Sequence, residues 1–362
     1  MAELSNKVKE LAANRLGIPG AEMAVSPLTG DASTRSYFRA QPRDHGGESL
    51  VIAMYAASFD ETQSATARLE ALEAKSASAR LTFANDPCAH IEVTGLLQEA
   101  GLPVPKIVAT MGSEGAMLFE DAGDLRLQDW LTGRASTAVA QAYDRALGFI
   151  VSIQEATPLA IASGSICSKL AFDEAKLGWE LDFFFENYFN RYLDARLSEE
   201  AAEAVKAEFR SLCSELASRP RVLVHRDYHT RNLMMHRGEI YIIDHQDARM
   251  GPASYDLASL LEDPYSTLDR AEVSRLIERF IEIKSLSAAP LESPSEFLRE
   301  YDLMTVQRML KAVGTYSYQA AVLKNDVYVG YIEPAIRSAI TAMDGLSEYP
   351  KIRRIIEQTV PR

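Results

Sequence analysis

Apolar positions recur at helical spacing through the opening stretch "MAELSNKVKELAANRLG", then give way to short runs in which β-branched and aromatic residues cluster between Gly, Asp and Pro. The segments "AVSPLTGDASTRSYFRAQP" and "ESLVIAMYAA" read as strands of a small antiparallel sheet. Residues 60–86, rich in Ala, Glu and Ser with Arg and Lys interspersed, predict a surface helix or a mobile insertion. "HIEVTGLLQEAGLPVPKIVAT" predicts a helix stopped by Gly101 and two prolines, followed by a strand, and "GAMLFEDAGD" predicts another strand. From about residue 125 onward the period is mostly helical, strongest in "FDEAKLGWELDFFFENYFNRYL" and "LREYDLMTVQRMLKAVGTYSYQAA". Two short apolar runs interrupt it. The pattern therefore predicts an α+β chain of two lobes: a small β-rich N-lobe over 1–119 with one main helix, a hinge at 120–124, and a larger, mostly helical C-lobe over 125–362.

Length and composition fit this division. The 362 residues suffice for two lobes sharing a cleft, and 47% hydrophobic with 25% charged residues is ordinary for a globular protein. A net charge of -13 argues against a surface that coats nucleic acid, although a single nucleotide needs only a metal ion and a few donors. The cysteines, Cys88, Cys167 and Cys213, have neither zinc nor disulfide spacing. The N-terminus lacks an apolar signal core, and no uninterrupted apolar run approaches the roughly 18 residues of a membrane span. A cytoplasmic protein with a small-molecule substrate, no membrane partner and no nucleic acid is the expectation. The sequence is silent on oligomeric state.

The two short apolar runs frame the chemistry, in "VLVHRDYHTRNLMMHRGEIYIIDHQD". Asp227 follows the first run, Asn232 comes five residues later, and Asp244 closes the second. Transfer of a phosphoryl group needs an acceptor hydroxyl in line, a base for its proton, and metal to neutralise the phosphates. Asp227 suits the base, and Asn232 and Asp244 suit magnesium, one as a neutral amide oxygen and one as a carboxylate. A surface turn could also use Asp227 and Asn232 to satisfy local backbone groups. The order Asp, Asn, Asp favours the chemical reading.

With "HRDYHTRNL" followed by "YIIDHQD", the chain resembles the protein-kinase-like phosphotransferases, in the branch that holds the aminoglycoside phosphotransferases and choline kinases. Adding "GDASTRSYFR", "IIDHQDARMGPASYDLASLLEDPY" and "QRMLKAVGTYS", it resembles the bacterial kinases that phosphorylate N-acetylmuramate and N-acetylglucosamine at the anomeric position. The resemblance implies a bilobal protein-kinase-like fold with ATP and magnesium between the lobes. It also implies that Asp256 scaffolds the catalytic loop, in agreement with its place at the start of an apolar run after a Gly-Pro turn.

The usual glycine-rich loop and strand lysine are missing. In their place "TGDASTRSYFRA" offers Gly30 for a hairpin, Ser33 and Thr34 as phosphate donors, and Arg35 and Arg39 as the nearest cations. The lysine position falls at Met54, and Glu92 is left to pair with Arg35 or with solvent. Around the hinge, the backbone at Glu120 and Ala122 is expected to meet adenine, with Leu118 and Phe119 as apolar walls. For the acceptor, Glu180, Phe184 and Tyr188 recur at intervals of four on one helical face, which serves either a sugar ring or core packing. Asp247 faces the acceptor or is structural, and Arg308 and Lys311 hold an acidic substrate or pair with carboxylates. Three functions remain open: an amino-sugar kinase, an aminoglycoside or amino-alcohol kinase drawing cations to Glu180 and Asp247, and a catalytically silent binding protein.

Overall fold

The computed structural model describes residues 2–28, 35–43, 48–67, 69, 82–83, 85–195, 197–265 and 268–359. Helix α1 (Ala2–Leu16) leads into a five-stranded antiparallel sheet of order β1-β2-β3-β5-β4. Its strands are β1 (Met23–Leu28), β2 (Ser36–Pro42), β3 (Leu50–Met54), β4 (Ile107–Met111) and β5 (Ala116–Glu120). Alternation along each strand sorts the residues between two faces. Phe38, Leu50, Ile52, Met54 and Leu118 pack beneath Val8 and Ala12 of α1. Tyr37, Val51, Ala53, Tyr55 and Phe119 turn the other way, toward the rest of the chain.

Helix α2 (Pro87–Glu99) follows β3 in sequence and covers this second face. Its start is fixed by chemistry: the Asp86 carboxylate accepts the amides of Cys88 (2.9 Å) and Ala89 (3.0 Å), and Pro87 sits where no N–H is needed. The preceding stretch is less peripheral than its composition predicts. Ala65, Leu69 and Phe83 are buried in the main core, and Glu61 accepts the Gly112 amide; residues 70–81 lie outside those described.

Past the hinge the chain is helical, apart from two short hairpin-like pairs. The main helices are α3 (Ser136–Glu155), α4 (Glu174–Phe184), α5 (Glu199–Ala217), α6 (Tyr255–Leu261) and α7 (Pro294–Ala321). Strand β6 (Arg221–Val224) pairs with β9 (Arg249–Pro252), and β7 (Leu233–His236) with β8 (Glu239–Ile242). By length and composition Ser136–Ser163 is apolar enough to cross a membrane, yet Tyr143, Leu147 and Ile150 of α3 are core residues. Helices α4 and α7 cross so closely that a Cβ on Gly314 would stand 2.6 Å from the Phe184 Cα. Only glycine admits that approach.

Helix α4 continues through Phe185–Tyr192 as a π-helix. Glu180 lies in the α-helical part, and Tyr188, in the wider turn, still stacks on Phe184 with ring centroids 5.4 Å apart; both are buried.

Candidate active site

A cavity of about 580 Å³ opens between the sheet and the C-lobe. Pro27, Leu28 and Val51 form its upper wall, Met234 and Ile243 its lower wall, and Phe119, Glu120 and Ala122 its edge at the hinge. Leu118, by strand parity, faces α1 instead and is no part of it. The hinge is braced by Arg39, which donates to Asp121 at 2.6 Å and 2.9 Å, while Asp121 also accepts from Ser49 and from the Gly123 amide. Gly123 has φ +78°, and a Cβ there would meet His236 Nδ1 at 2.8 Å, so this turn requires glycine.

The missing lysine also obeys parity. On β3 and its extension, Val51, Ala53 and Tyr55 share the face opposite α1, and of these Val51 lines the cavity; Met54, on the other face, packs under α1. The Tyr55 hydroxyl meets His90 Nδ1 at 3.1 Å, and Thr94 meets His245 at 2.7 Å, giving a neutral polar back wall. Burial, together with the neighbouring His245 and Arg35, holds the His90 imidazolium well below its ordinary pKa. Glu92 accepts the amides of Ala65 (3.3 Å) and Ile166. The cavity's buried cation is Arg35, whose Nη2 lies 3.5 Å from Asp244 Oδ1 and whose guanidinium stacks over Tyr37. Gly30, Ser33 and Thr34 lie outside the described residues.

On the floor, the loop between β6 and β7 carries Asp227 and Asn232. It is held from below by Asp256 in the first turn of α6, fully buried, which accepts the amides of His225 (2.7 Å) and Arg226 (3.0 Å). Asn232 donates its side-chain amide to Asp227 O at 2.9 Å, leaving the amide oxygen to serve a cation. Asp244 adopts the left-handed conformation, φ 62°, and Gln246 holds one of its oxygens at 2.8 Å. An amide oxygen and a carboxylate oxygen are the hard donors that magnesium prefers, with room left for phosphate oxygens and water.

A second cavity, about 270 Å³, begins where the first ends. Arg231, Asn232 and Asp244 line both. Asp227 belongs to the second alone, where Lys311 Nζ and Arg308 Nη1 each stand 3.5 Å from its Oδ1. Burial would raise the Asp227 carboxyl, but Lys311, Arg226 and Arg308 outweigh it and hold the acid well below its ordinary range. The far walls are Tyr265, Tyr316, Tyr328, Thr315 and Gln319. Sequence reasoning missed these tyrosines. Their spacing to Asp227 is set by tertiary packing, and only Tyr316 falls in a stretch with helical periodicity.

The remaining acceptor candidates are placed elsewhere. Glu180 is buried between α4 and α7, 3.6 Å from Lys176 and bonded to Gln307 at 3.0 Å, and lines neither cavity. Tyr188 is buried and stacks on Phe184 inside the core. Asp247 has both oxygens committed, to Arg226, to Arg249 (2.6 Å), to Thr82 (2.7 Å) and to the Phe83 amide (3.0 Å). It is a strut behind the loop that carries Asp227. Arg308 does line the second cavity, though it also bonds Arg226 O at 3.2 Å and lies over the Tyr255 ring.

A β-sheet lobe, a helical lobe, and a cleft with Asn232 and Asp244 at the junction of two cavities and Asp227 just inside the second define a kinase of the protein-kinase-like fold. The profile of the phosphotransferase enzyme family matches residues 24–291, and the chain belongs to that family as an ATP-dependent kinase. It is 31% identical over 302 residues to the N-acetylmuramate/N-acetylglucosamine kinase of Pseudomonas aeruginosa, covering 83% of this chain and 77% of that one. It is 28% identical over 325 residues to the kinase of the same name from Caulobacter vibrioides, covering 86% and 84%. Its fold is similar to a choline/ethanolamine kinase family protein from Mesorhizobium loti, with TM-score 0.57 at 15% identity over 97% of this chain and 99% of that one. It is also similar to the amicoumacin kinase hAmiN in complex with AMP-PNP, Ca2+ and Ami, with TM-score 0.55 at 16% identity over 98% and 96%.

Proposed function

We propose that the chain phosphorylates an amino sugar of the N-acetylmuramate and N-acetylglucosamine class on its anomeric hydroxyl. The nucleotide occupies the larger cavity, with the hinge at Glu120 and Ala122 along its adenine and Arg35 near its phosphates. The sugar occupies the smaller cavity. Asp227 accepts the proton of the acceptor O–H as that oxygen bonds to the γ-phosphorus and the bond from phosphorus to the ADP oxygen breaks. Asn232 and Asp244 would hold magnesium, which neutralises phosphate charge.

The observation that carries this reading is the lining shared by the two cavities. Residues suited to a metal lie at their junction, and the candidate base lies just on the acceptor side. An acceptor walled by Tyr265, Tyr316 and Tyr328 suits the apolar faces of a sugar ring, with Thr315 and Gln319 for its hydroxyls. The names of the sequence relatives agree. A cationic aminoglycoside or amino alcohol is less suited, because Glu180 and Asp247 are buried in ion pairs and Lys311, Arg308 and Arg231 face the cavity. A silent binding protein has no chemical need for Asp227, Asn232 and Asp244 together.

We further place the enzyme in the cytoplasm, where ATP and reduced cysteines occur; Cys88, Cys167 and Cys213 are all buried thiols. An acceptor screen with γ-labelled ATP tests the function. Label on N-acetylmuramate or N-acetylglucosamine supports it, and label only on an aminoglycoside or amino alcohol replaces it.

A further inference from the structure

Arg226, Arg308 and Lys311 all stand around the Asp227 carboxylate. Arg226 and Arg308 have structural work that explains their presence. Arg226 pairs with Asp247, and Arg308 donates to Arg226 O and lies over Tyr255. Lys311 has no comparable work. Among the described residues its ammonium has one hydrogen bond to a side chain, the 3.5 Å contact with Asp227 Oδ1, and its side chain retains 19% exposure at the cavity wall.

A lysine ammonium carries three donors, so this contact leaves two for a ligand. The other acidic side chains of the cavity do not supply one. Asp263 is spent on the Thr230 amide (3.2 Å) and hydroxyl (2.8 Å) and on the Tyr265 amide (3.0 Å), and Asp244 faces Arg35 and Gln246. One turn further along α7 the same wall becomes neutral, with Thr315 and then Gln319. Positive charge is thus concentrated at the base end of the acceptor cavity in a chain whose net charge is -13.

We propose that Lys311 is the anchor of a carboxylate-binding subsite, so that the preferred acceptor is an amino sugar bearing a carboxylate rather than its neutral counterpart. This deepens the amino-sugar reading and rests on it. Binding of the acceptor's carboxylate takes up the donors of the ammonium that Asp227 leaves over. An acidic sugar therefore gains a charge-assisted contact that its neutral counterpart lacks.

The test uses the full-length enzyme with ATP and magnesium and compares N-acetylmuramate with its methyl ester, which keeps the sugar and removes the charge. The parent is expected to show a kcat/KM for the acid at least tenfold above that for the ester. In Lys311→Met the ratio should fall to within about twofold of one, and Lys311→Arg should restore part of it. Thermal melts of both variants check that the fold is kept. Equal kcat/KM for acid and ester in the parent, or an undiminished ratio in folded Lys311→Met, overturns the subsite. A fall in both substrates alike, with the ratio preserved, also overturns it and assigns Lys311 to the base or the phosphoryl group. A parent that phosphorylates neither sugar form, nor N-acetylglucosamine, overturns the amino-sugar reading itself.

Discussion

The Asp256 carboxylate accepts the backbone N–H of Arg226 at 3.0 Å, and Arg226 sits at φ 86°, a conformation that a non-glycine residue rarely holds. The neighbouring His225 amide reaches the same carboxylate at 2.7 Å. Two amides converging on one buried acid fix the direction in which Asp227 leaves the loop. Asp256→Asn keeps one acceptor oxygen but turns the other position into a donor facing an N–H. Turnover is expected to fall by on the order of 100-fold, as a misplaced base costs, with a smaller change in the KM for ATP. Steady-state kinetics alongside a thermal melt check this; unchanged kcat in a folded variant removes Asp256 from the account.

Arg35 and Arg39 make opposite predictions. Arg39 is committed to Asp121 and Asp124 at the hinge, whereas Arg35 lines the larger cavity, the proposed nucleotide site, beside Asp244. Arg35→Ala should weaken ADP binding at least tenfold and leave adenosine binding within about twofold, because a charge-assisted contact to phosphate is lost and the adenine walls are not. Calorimetric titration separates the two ligands. Equal losses for ADP and adenosine would mean that Arg35 shapes the cavity instead of meeting phosphate.

Gly314 tests the helix crossing. An added methyl would stand 2.6 Å from the Phe184 Cα and 3.0 Å from its backbone nitrogen, atoms that cannot rotate away. Gly314→Ala should destabilise the chain by about 1–3 kcal/mol, the usual cost of overpacking, despite the better helix propensity of alanine. Denaturant unfolding measures it, and a gain in stability would contradict the crossing as described.

Acid sensitivity follows from the buried histidines. Burial holds His90 well below 6.5 and His225 down at about 4, so both stay neutral in the folded chain while the unfolded chain protonates them below pH 6.5. The unfolded state then binds more protons, and stability is lost as pH falls from about 6.5 toward these folded values. Asp256, pushed up to about 7 by burial that its two accepted amides only partly offset, works in the opposite sense over the same range. His90→Gln, which keeps a partner for the Tyr55 hydroxyl, should make the fall in stability between pH 6.5 and 5 shallower by about one proton. A slope identical to the parent's would show that His90 is protonated in the folded chain.

The legible features were those written in contiguous sequence. The two-lobed α+β fold, the helix ending before Gly101 and the loop holding Asp227 and Asn232 each depend on residues within one or two turns or strands. The errors arose where a single step of register decides. "ESLVIAMYAA" is apolar throughout, so nothing in it says whether Ala53 or Met54 packs under α1. The same ambiguity misplaced Leu118. Between acceptor and packing roles, Glu180 and Asp247 were not decided locally, because their partners Gln307 and Arg226 lie 127 and 21 residues away, and Tyr188 took the packing role against Phe184. The wall of Tyr265, Tyr316 and Tyr328 is assembled from separate segments, and no local pattern announces it.

The most direct test of the whole account is the position of the transferred phosphate. The anomeric hydroxyl is more acidic than an ordinary sugar alcohol, so the proposed base Asp227 need withdraw less charge to activate it. Phosphorylation there also prevents the ring from opening to its aldehyde. N-acetylmuramate or N-acetylglucosamine treated with the enzyme and ATP should therefore lose reducing-end reactivity in proportion to phosphate incorporated, and regain it after mild acid hydrolysis. A product that carries phosphate and still reduces would place the group on another hydroxyl and contradict the account.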